Sequence, residues 1–309
     1  MTLPTGEQLV LETSTSSGEL TAVVTTVAAG LRALSLDGVE LVPSFGEDRT
    51  PPAAAGIVLA PWPNRIRDGR WSHDGVDHQL AITEPALGNA IHGLLRFTEY
   101  RVVAQDRDSV TLEATIFPQT GYPFLIETAV HYELVSDGLR VTHRLENVGA
   151  DAAPVALGAH PYVKIGGVPT AELELRIEAD SHIEVDERKL PTGEVPVDGT
   201  PWDLRGGRRV GELSLDDAFG ELASDEEGVI EHVLSAPDGR SVAVWADDDF
   251  AYVQAFTTDR FPGEALAIAI EPMTAPAEAF NSGRGLRWLG PGEQWELSWG
   301  IRFRGFTAD

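Results

Sequence analysis

The chain has 309 residues, of which 42% are hydrophobic and 23% are charged, the composition of a globular protein with a large core. Its formal net charge is −26, so we expect it to repel phosphate backbones and anionic lipids and to bind neither nucleic acid nor membranes. It contains no cysteine, which excludes disulfides, thiolate chemistry and cysteine-bound metals.

The sequence also carries no sign of export. The first residues lack the basic start and apolar stretch of a signal peptide, and no apolar run approaches the ~20 residues that cross a bilayer. These features, with the absence of cysteine, predict a cytoplasmic protein. Acidic runs are short, at residues 225–227 and 247–249, and we interpret the negative charge as a solvated surface that aids solubility.

Alternation of apolar and polar residues dominates the chain and predicts β-strands along its length. The predicted strands are residues 8–13, 20–27, 56–60, 101–104, 110–116, 126–134, 139–146, 173–179, 229–234, 242–246, 252–256, 267–270 and 295–304. Asp-Gly pairs between strand-like segments, as at residues 137–138, supply the positive φ angles that tight hairpins require. We predict an all-β fold, one large antiparallel β-sandwich that forms a single domain over residues 1–309.

Several stretches rich in Pro, Gly and Asp interrupt the strands. They are residues 43–55, 82–89, 166–169 and 186–214, and all four are predicted to be irregular. Loops as long as the first and the last of these usually carry function or cover a site.

The stretch from residue 267 to 283 combines a buried strand with a single acid. Glu271 stands where we expect the strand to end, because Pro272 has no N–H to donate to a ladder. A carboxylate there is costly unless it has partners or a chemical task. The alternative is an ordinary strand-end glutamate that faces water.

Four further stretches hold polar side chains in unusual backbone settings. Asn64 and Arg65 follow two prolines, His92 precedes a glycine, and His160 lies between a glycine and a proline. Two adjacent acids at positions 216 and 217 would point to opposite faces of an extended chain, so that one of them could face inward. Each stretch alone also fits a structural role, such as a rigid turn, a hydrogen-bonded histidine or a solvated acidic turn.

As a set, two histidines, a glutamate, an aspartate and an arginine suit proton transfer on a polyhydroxylated substrate. A carboxylate can act as base and an imidazole as acid near neutral pH, while arginine and aspartate bind hydroxyl groups as donor and acceptor. Such residues can also bind a metal, but no two of them have a short ligand-like spacing, so we predict no metal site. The chain contains neither a phosphate-binding loop nor a nucleophile elbow.

Seven short motifs follow one another along the chain. They are Pro-Asn-Arg-Ile at 63–66, Ile-His-Gly at 91–93, His-Pro-Tyr at 160–162, Thr-Pro-Trp-Asp-Leu-Arg at 200–205, Asp-Asp-Ala-Phe at 216–219, Gln-Ala-Phe-Thr at 254–257, and Glu-Pro at 271–272 with Ala-Phe-Asn at 279–281. Each is weak alone, but in this order they resemble the aldose 1-epimerase (galactose mutarotase) family from about residue 20 to 305. The resemblance implies a galactose mutarotase-like supersandwich with an open sugar cleft.

The resemblance also implies roles for single residues. Glu271 would be the base that removes the C1 hydroxyl proton, His160 the acid that protonates the ring oxygen, and His92 a catalytic partner that steadies that oxygen. The side chains implied to bind the sugar are those of Asn64, Arg65, Asp216 and Gln254. No metal or organic cofactor is implied, and the only implied partner is a small-molecule sugar.

Three departures from the family pattern leave the sugar preference open. Val163 stands where Phe is common, Asp217 where His is frequent, and Met273 where Gln is common. We expect an isomerase of carbohydrate metabolism that acts on a free hexose such as glucose or galactose. The oligomeric state is not predicted.

Other functions remain open on the sequence. One is a mutarotase of a phosphorylated or sulfonated hexose, for which Arg65 or Arg67 could supply a basic pocket. Another is a non-catalytic sugar-binding protein on the same fold. A glycoside hydrolase or lyase would need Glu271 and Asp216 to flank a glycosidic bond, ~5–10 Å apart.

Overall fold

The computed structural model describes residues 2–307, and about 52% of the chain is strand and 4% helix. In chain order the first strands are β1 (Gln8–Thr15), β2 (Gly18–Thr25), β3 (Gly30–Leu36), β4 (Val39–Val42), β5 (Val58–Leu59), β6 (Arg65–Arg67), β7 (Arg70–His73), β8 (Val76–Gln79) and β9 (Asn89–Ile91). The middle strands are β10 (Arg101–Gln105), β11 (Ser109–Ile116), β12 (Ile126–Val135), β13 (Gly138–Asn147), β14 (Ala153–Val155), β15 (Gly158–Ala159), β16 (Tyr162–Val163), β17 (Glu174–Ile177) and β18 (Ala179–Val185). The last strands are β19 (Pro191–Pro196), β20 (Arg208–Arg209), β21 (Asp216–Leu222), β22 (Val229–Ser235), β23 (Ser241–Asp247), β24 (Tyr252–Thr258), β25 (Ala267–Met273), β26 (Arg287–Leu289) and β27 (Gln294–Arg304).

Helical structure is limited to single turns. There are 3₁₀ turns at Pro52–Ala54, Thr170–Glu172 and Val210–Glu212, and one α-helical turn, α1, at Ala279–Ser282. Within residues 2–307, no helix is long and apolar enough to cross a membrane. The all-β prediction is confirmed.

The strands form three large antiparallel sheets. A four-stranded sheet has the order β1-β2-β3-β4, and a nine-stranded sheet has the order β10-β11-β12-β13-β27-β23-β22-β17-β20. An eight-stranded sheet has the order β19-β18-β21-β24-β25-β15-β5, and β16 also pairs with β25. The pairs β14-β26, β6-β9 and β7-β8 stand apart from these sheets.

The large sheets pack face to face, as the predicted sandwich requires. The first sheet contacts the nine-stranded sheet where β1 meets β12, and the nine-stranded sheet contacts the eight-stranded sheet where β23 meets β25. One buried apolar cluster includes Leu11, Val130, Val244 and Ile270, which belong to all three sheets. This burial drives the layers together, because strands such as β12 and β13 alternate buried and exposed side chains, while β25 is buried throughout.

Two local predictions are wrong. Residues 186–214 are not wholly irregular, because β19 lies within them and pairs with β18 at the edge of the eight-stranded sheet. Prolines begin and end β19, and an edge strand tolerates them because one side of it needs no ladder partner.

The strand that contains Glu271 does not end there. It continues through Pro272, which pairs with Val253, to Met273. Alternate residues of an antiparallel strand donate to a given neighbour, so a missing N–H interrupts the ladder at one position only. Glu271 is therefore held within the strand rather than at its end.

Candidate active site

The face of the eight-stranded sheet that points away from the core carries several of the predicted site residues. Asp216 pairs with Phe256 across β21 and β24, and Gln254 pairs with Glu271 across β24 and β25. Directly opposite residues project to the same face of a sheet, and so do residues two apart in a strand. These four side chains therefore share one surface, where they line a cavity of about 260 Å³.

All seven residues that were predicted to form the site line this cavity. They are Asn64, Arg65, His92, His160, Asp216, Gln254 and Glu271. They come from widely separated segments of the chain, and strand pairing brings them together.

Glu271 and His160 are in direct contact. His160 Nε2 lies 3.3 Å from Glu271 Oε1, and the two side chains are only 5% and 3% exposed. Strands β15 and β16, on either side of His160, both pair with β25 and so fix this approach. Gly158 lets β15 pack closely against Pro63 and against the Pro272 carbonyl in β25, because a Cβ there would lie 2.9 Å from Cβ of Pro63 and 3.2 Å from that oxygen.

Burial disfavours the charged forms of both groups. It raises the pKa of Glu271 well above its usual range, an effect that the Asp216 carboxylate increases and Arg65 opposes. It lowers the pKa of His160 to about 3, and the nearby charges of Arg96 and Arg65 act in the same direction. Since the two groups interact closely, they titrate as a pair. Transfer of one proton from the neutral Glu271 carboxyl to the neutral His160 imidazole therefore produces a carboxylate base and an imidazolium acid.

His92 is a neutral hydrogen-bond donor in this site. Its backbone φ is 62° and that of Asn64 is 55°, so both residues adopt the left-handed conformation. The N–H of His92 donates to the carbonyl of Asn64 at 2.9 Å, and the N–H of Asn64 donates to His92 Nδ1 at 3.3 Å. Because Nδ1 accepts, the proton of the neutral ring is on Nε2. Burial lowers the pKa of His92 well below its usual value, which keeps the ring neutral.

A chain of hydrogen bonds with fixed direction forms one wall of the cavity. Gln254 Nε2 donates to Asp216 Oδ1 at 2.8 Å, and Gln254 Oε1 accepts from Asn64 Nδ2 at 3.1 Å. Asn64 Oδ1 in turn accepts from Arg65 Nη1 at 3.2 Å. Arg65 also donates to both carboxylate oxygens of Glu84, from Nε at 2.9 Å and from Nη2 at 3.0 Å. Asp216 orients the amide of Gln254, and Arg65 orients the amide of Asn64. Asp216 is therefore the acceptor at one end of this chain, and Arg65 is the donor at the other end.

The adjacent acids at 216 and 217 point to opposite faces, as the sequence predicts. Asp216 lines the cavity, and its Oδ2 lies 3.4 Å from Lys189 Nζ. Asp217 Oδ1 lies 2.8 Å from His182 Nε2, and the ring of His182 stacks on Trp202 at 4.1 Å. Asp217 is therefore engaged on the other side of the strand.

Seven more residues line the cavity, and the sequence analysis did not assign them. They are Ala53, Ala54, Thr83, Glu84, Ile91, Arg96 and Phe256. Phe256 could have been found, because it lies two positions from Gln254 in a predicted strand. Glu84 and Arg96 carry no local signal, since neither stands in a distinctive motif.

Arg67, considered above as a possible cation for an anionic sugar, does not line the cavity. Its guanidinium lies 3.7 Å from Glu278 Oε2 and 3.7 Å from Asp186 Oδ2. The interpretation of Arg67 as a site residue is wrong, because its guanidinium is directed to these two acids instead. Within residues 2–307, no three His, Asp or Glu side chains are grouped as metal ligands.

Sequence comparison extends these observations. The profile of the aldose 1-epimerase family matches residues 12–302. An uncharacterized protein of Escherichia coli K12, YihR, is 33% identical over 289 residues, which cover 93% of this chain and 92% of that protein. Human galactose mutarotase is 32% identical over 204 residues, which cover 62% of this chain and 58% of that protein.

Solved structures share the fold. A GalM/aldose epimerase homologue from C. elegans superposes with a TM-score of 0.83 at 21% identity and covers 98% of this chain and 100% of its own. Galactose 1-epimerase from Lactobacillus acidophilus has a TM-score of 0.76 at 23% identity and covers 95% of this chain and 93% of its own. At these identities the likeness concerns the fold, and it confirms the predicted galactose mutarotase-like sandwich.

Proposed function

This chain belongs to the aldose 1-epimerase family, and we propose that it interconverts the α and β anomers of a free hexose such as glucose or galactose. The observation that carries the proposal is the buried contact between His160 Nε2 and Glu271 Oε1 at 3.3 Å. A base and an acid at this distance can serve neighbouring oxygens of one sugar ring.

The reaction needs only proton transfers. Glu271 removes the proton of the C1 hydroxyl while His160 gives a proton to the ring oxygen, and the bond between C1 and the ring oxygen breaks as the C1 carbonyl forms. Rotation about the C1–C2 bond presents the other carbonyl face. On reclosure the former ring oxygen attacks C1 and returns its proton to His160, and Glu271 returns its proton to the carbonyl oxygen. Atoms and charge balance without a further reactant.

The remaining residues suit the binding of one monosaccharide. His92, a neutral donor, would steady the ring oxygen, and Arg65 and Asp216 would bind hydroxyl groups as donor and acceptor. Asn64 and Gln254 hold these two in place through the bonds described above. The cavity of about 260 Å³ is near the lower end for ligand sites, which favours a single ring over an oligosaccharide.

Polarimetry of freshly dissolved α-D-glucose and α-D-galactose tests this proposal. Wild-type protein should speed equilibration above the buffer rate, and Glu271→Gln should lower turnover by about two to four decades. Because Glu271 favours its neutral form, glutamine should preserve the fold, and circular dichroism checks this. A near-normal rate for the variant would remove Glu271 from the mechanism. Sugar binding without any rate enhancement would favour a non-catalytic sugar-binding protein.

A second candidate, a hexose that carries an anionic group, is supported by Arg96. This guanidinium lines the cavity, and its Nε is buried without a hydrogen-bond partner. Burial lowers the pKa of Arg96, and the one carboxylate that opposes this is Glu84, which is already bonded to Arg65. A half-buried cation without its own acid is the kind of group that binds a phosphate, sulfonate or carboxylate on a substrate.

Paired assays separate the two substrate classes. If the sugar is anionic, wild type should act faster on a hexose with a 6-phosphate or 6-sulfonate than on glucose, and Arg96→Gln should reduce that rate by ~10- to 100-fold. If the sugar is neutral, Arg96→Gln should change the rates on all hexoses alike, and the anionic candidate is wrong.

A further inference from the structure

Glu84 lies beside the candidate catalytic residues, in a stretch for which the sequence predicted no role. Its carboxylate lines the cavity, and its side chain is 19% exposed against 11% for that of Arg65. Oε2 accepts from Arg65 Nε at 2.9 Å, and Oε1 accepts from Arg65 Nη2 at 3.0 Å. This two-point contact is the strongest geometry available to an arginine and a carboxylate, because it fixes the plane of the guanidinium as well as its position.

Glu84 is itself held by a second layer of bonds. Asn89 Nδ2 donates to Glu84 Oε2 at 3.2 Å, and Arg188 Nη2 donates to Asn89 Oδ1 at 3.1 Å. The backbone carbonyl of Glu84 accepts from the N–H groups of Leu87 and Gly88, at 3.2 and 2.9 Å. The residue therefore stands on a closed turn, braced from a different loop by Arg188.

Both oxygens of Glu84 are occupied by protein donors, so the carboxylate is poorly placed to bind a sugar hydroxyl. Its effect on the site is instead to hold Arg65 in place and to put a negative charge next to the Arg65 guanidinium. Arg65 is the residue that needs both, because its positive charge acts on the buried pair: it lowers the pKa of Glu271 and that of His160.

We propose that Glu84 is a positioning residue, which fixes the Arg65 guanidinium in the cavity and offsets its charge, and so sets the pH range in which Glu271 and His160 work. The inference rests on the proposed function. A negative charge next to a cation weakens the electrostatic effect of that cation on neighbouring groups, and this weakening is larger in a site sheltered from water.

Other titratable and charged groups face the same pair, and they are unchanged by a substitution at position 84. They are His92, Arg96, Tyr162 and Asp216, and Asp216 in turn contacts Lys189. A shift seen on changing Glu84 therefore reports the loss of its negative charge beside Arg65 and Arg96, the two cations that lower the pKa of His160.

Two variants separate the charge of Glu84 from its geometry. Glu84→Gln keeps an acceptor for Arg65 but removes the charge, and Glu84→Asp keeps the charge but shortens the reach. In Glu84→Gln both limbs of the pH–kcat profile should move to lower pH by about 0.5 to 1, and KM should rise by ~3- to 10-fold. In Glu84→Asp the profile should stay close to that of wild type while KM rises. Glu84→Gln with an unmoved pH profile would overturn the proposal, because a purely structural role reduces the active fraction without shifting the titration.

The chain offers a matched control. Glu231 makes a similar two-point contact with Arg304, at 2.9 and 2.6 Å, in the nine-stranded sheet. Glu231→Gln also removes one carboxylate from an arginine pair, and it should leave both KM and the pH profile unchanged. A shift as large as that of Glu84→Gln would show that the effect comes from net charge, and the proposal would fail.

A readout that needs no turnover separates this inference from the proposed function. The ¹³C carboxyl signal of Glu271, assigned by its loss in Glu271→Gln, can be titrated in the free protein. In Glu84→Gln its apparent pKa should fall by about 0.5 to 1 relative to wild type. If wild type is inactive on every hexose, the proposed function fails, and this titration still decides whether Glu84 offsets Arg65. An unchanged Glu271 titration overturns the inference whatever the activity.

Discussion

The ring of His160 is oriented by aromatic packing and by Glu271, without a polar side-chain partner on its second nitrogen. Its Nε2 contacts Glu271, but Nδ1 is buried and has no hydrogen bond from any other described residue. Tyr162 stacks on the ring with centroids 5.5 Å apart and planes at 22°, and Phe256 meets it edge-on at 6.4 Å. Catalytic histidines are commonly fixed by a carboxylate or carbonyl on the second nitrogen. Here the stacked Tyr162 ring and the edge-on Phe256 ring limit rotation of the His160 ring.

Tyr162→Leu should therefore impair catalysis more than Tyr162→Phe. The phenylalanine keeps the stacked ring and loses only the bond from the Tyr162 hydroxyl to the carbonyl of Ala53, 3.2 Å long. The leucine removes the ring, so that His160 can turn away from Glu271, and we expect kcat to fall by ~100-fold, as small misplacements of catalytic groups do. Polarimetric kcat values, with thermal melts to verify folding, make the comparison. Equal kcat for the two variants would mean that the stack does not orient His160.

The sequence predicts a residue of this site when its local backbone setting is unusual. His92, Asn64 and His160 stand next to glycine or proline, and Glu271 interrupts an apolar strand. Glu84 and Arg96 could not be predicted, because their roles depend on Arg65 and on the cavity wall, which other segments supply. A residue whose role depends on a tertiary partner has no recognisable motif among the residues next to it in the sequence.

At the scale of the elements, period-two alternation predicted the long strands but not the edge strand β19. β12, β13 and β27 match their predicted bounds closely, because one face of each is buried. β19 was missed because its residues are mostly exposed, so no apolar face marks it, and its prolines are typical of loops. Pairing with β18 makes it a strand, which is a tertiary effect.

The end of β23 shows that the acidic run at 247–249 is more than a solvated surface. Asp247 Oδ2 accepts a hydrogen bond from the N–H of Ser298 in β27 at 2.6 Å, while its Oδ1 is buried without a partner. Burial, together with the charges of Asp249 and Asp248, raises the pKa of Asp247 to about 6. A charge that the fold disfavours therefore remains at neutral pH.

Asp247→Asn should stabilise the protein at pH 8 and much less at pH 4. The asparagine oxygen can still accept from Ser298, and the charge is gone. The pKa of Asp247 is higher in the folded state than in the unfolded chain, so the charge costs stability above about pH 6, and this cost disappears as the pH falls towards 4. Because the carboxylate is partly exposed, we expect a gain of about 1 kcal/mol at pH 8, measured by urea unfolding. The same gain at both pH values would show that it does not arise from the charge.

At the scale of the whole molecule, burial favours the neutral form of four histidines, His92, His143, His160 and His232. Burial lowers the pKa of each of His143, His160 and His232 to about 3. His143 has a geometric reason as well, since its Nε2 accepts a hydrogen bond from Trp299 Nε1 at 2.9 Å and cannot do so when protonated. The unfolded chain binds these protons near pH 6.5, so acid should favour unfolding.

His143→Gln isolates one of these linkages. The glutamine can offer an oxygen to Trp299 but cannot titrate. Between the unfolded pKa near 6.5 and the folded pKa of about 3, the unfolded state of wild type binds one more proton at this position, so His143 adds ~1.4 kcal/mol of lost stability per pH unit as the pH falls. Urea unfolding between pH 6 and pH 4.5 should therefore give a shallower dependence for His143→Gln by about that slope, whatever its stability at pH 7. His73→Gln, which removes a half-exposed imidazole on β7, is the matched control for loss of a histidine. A slope for His143→Gln equal to that of wild type would mean that the acid sensitivity of the fold arises from groups other than this buried histidine.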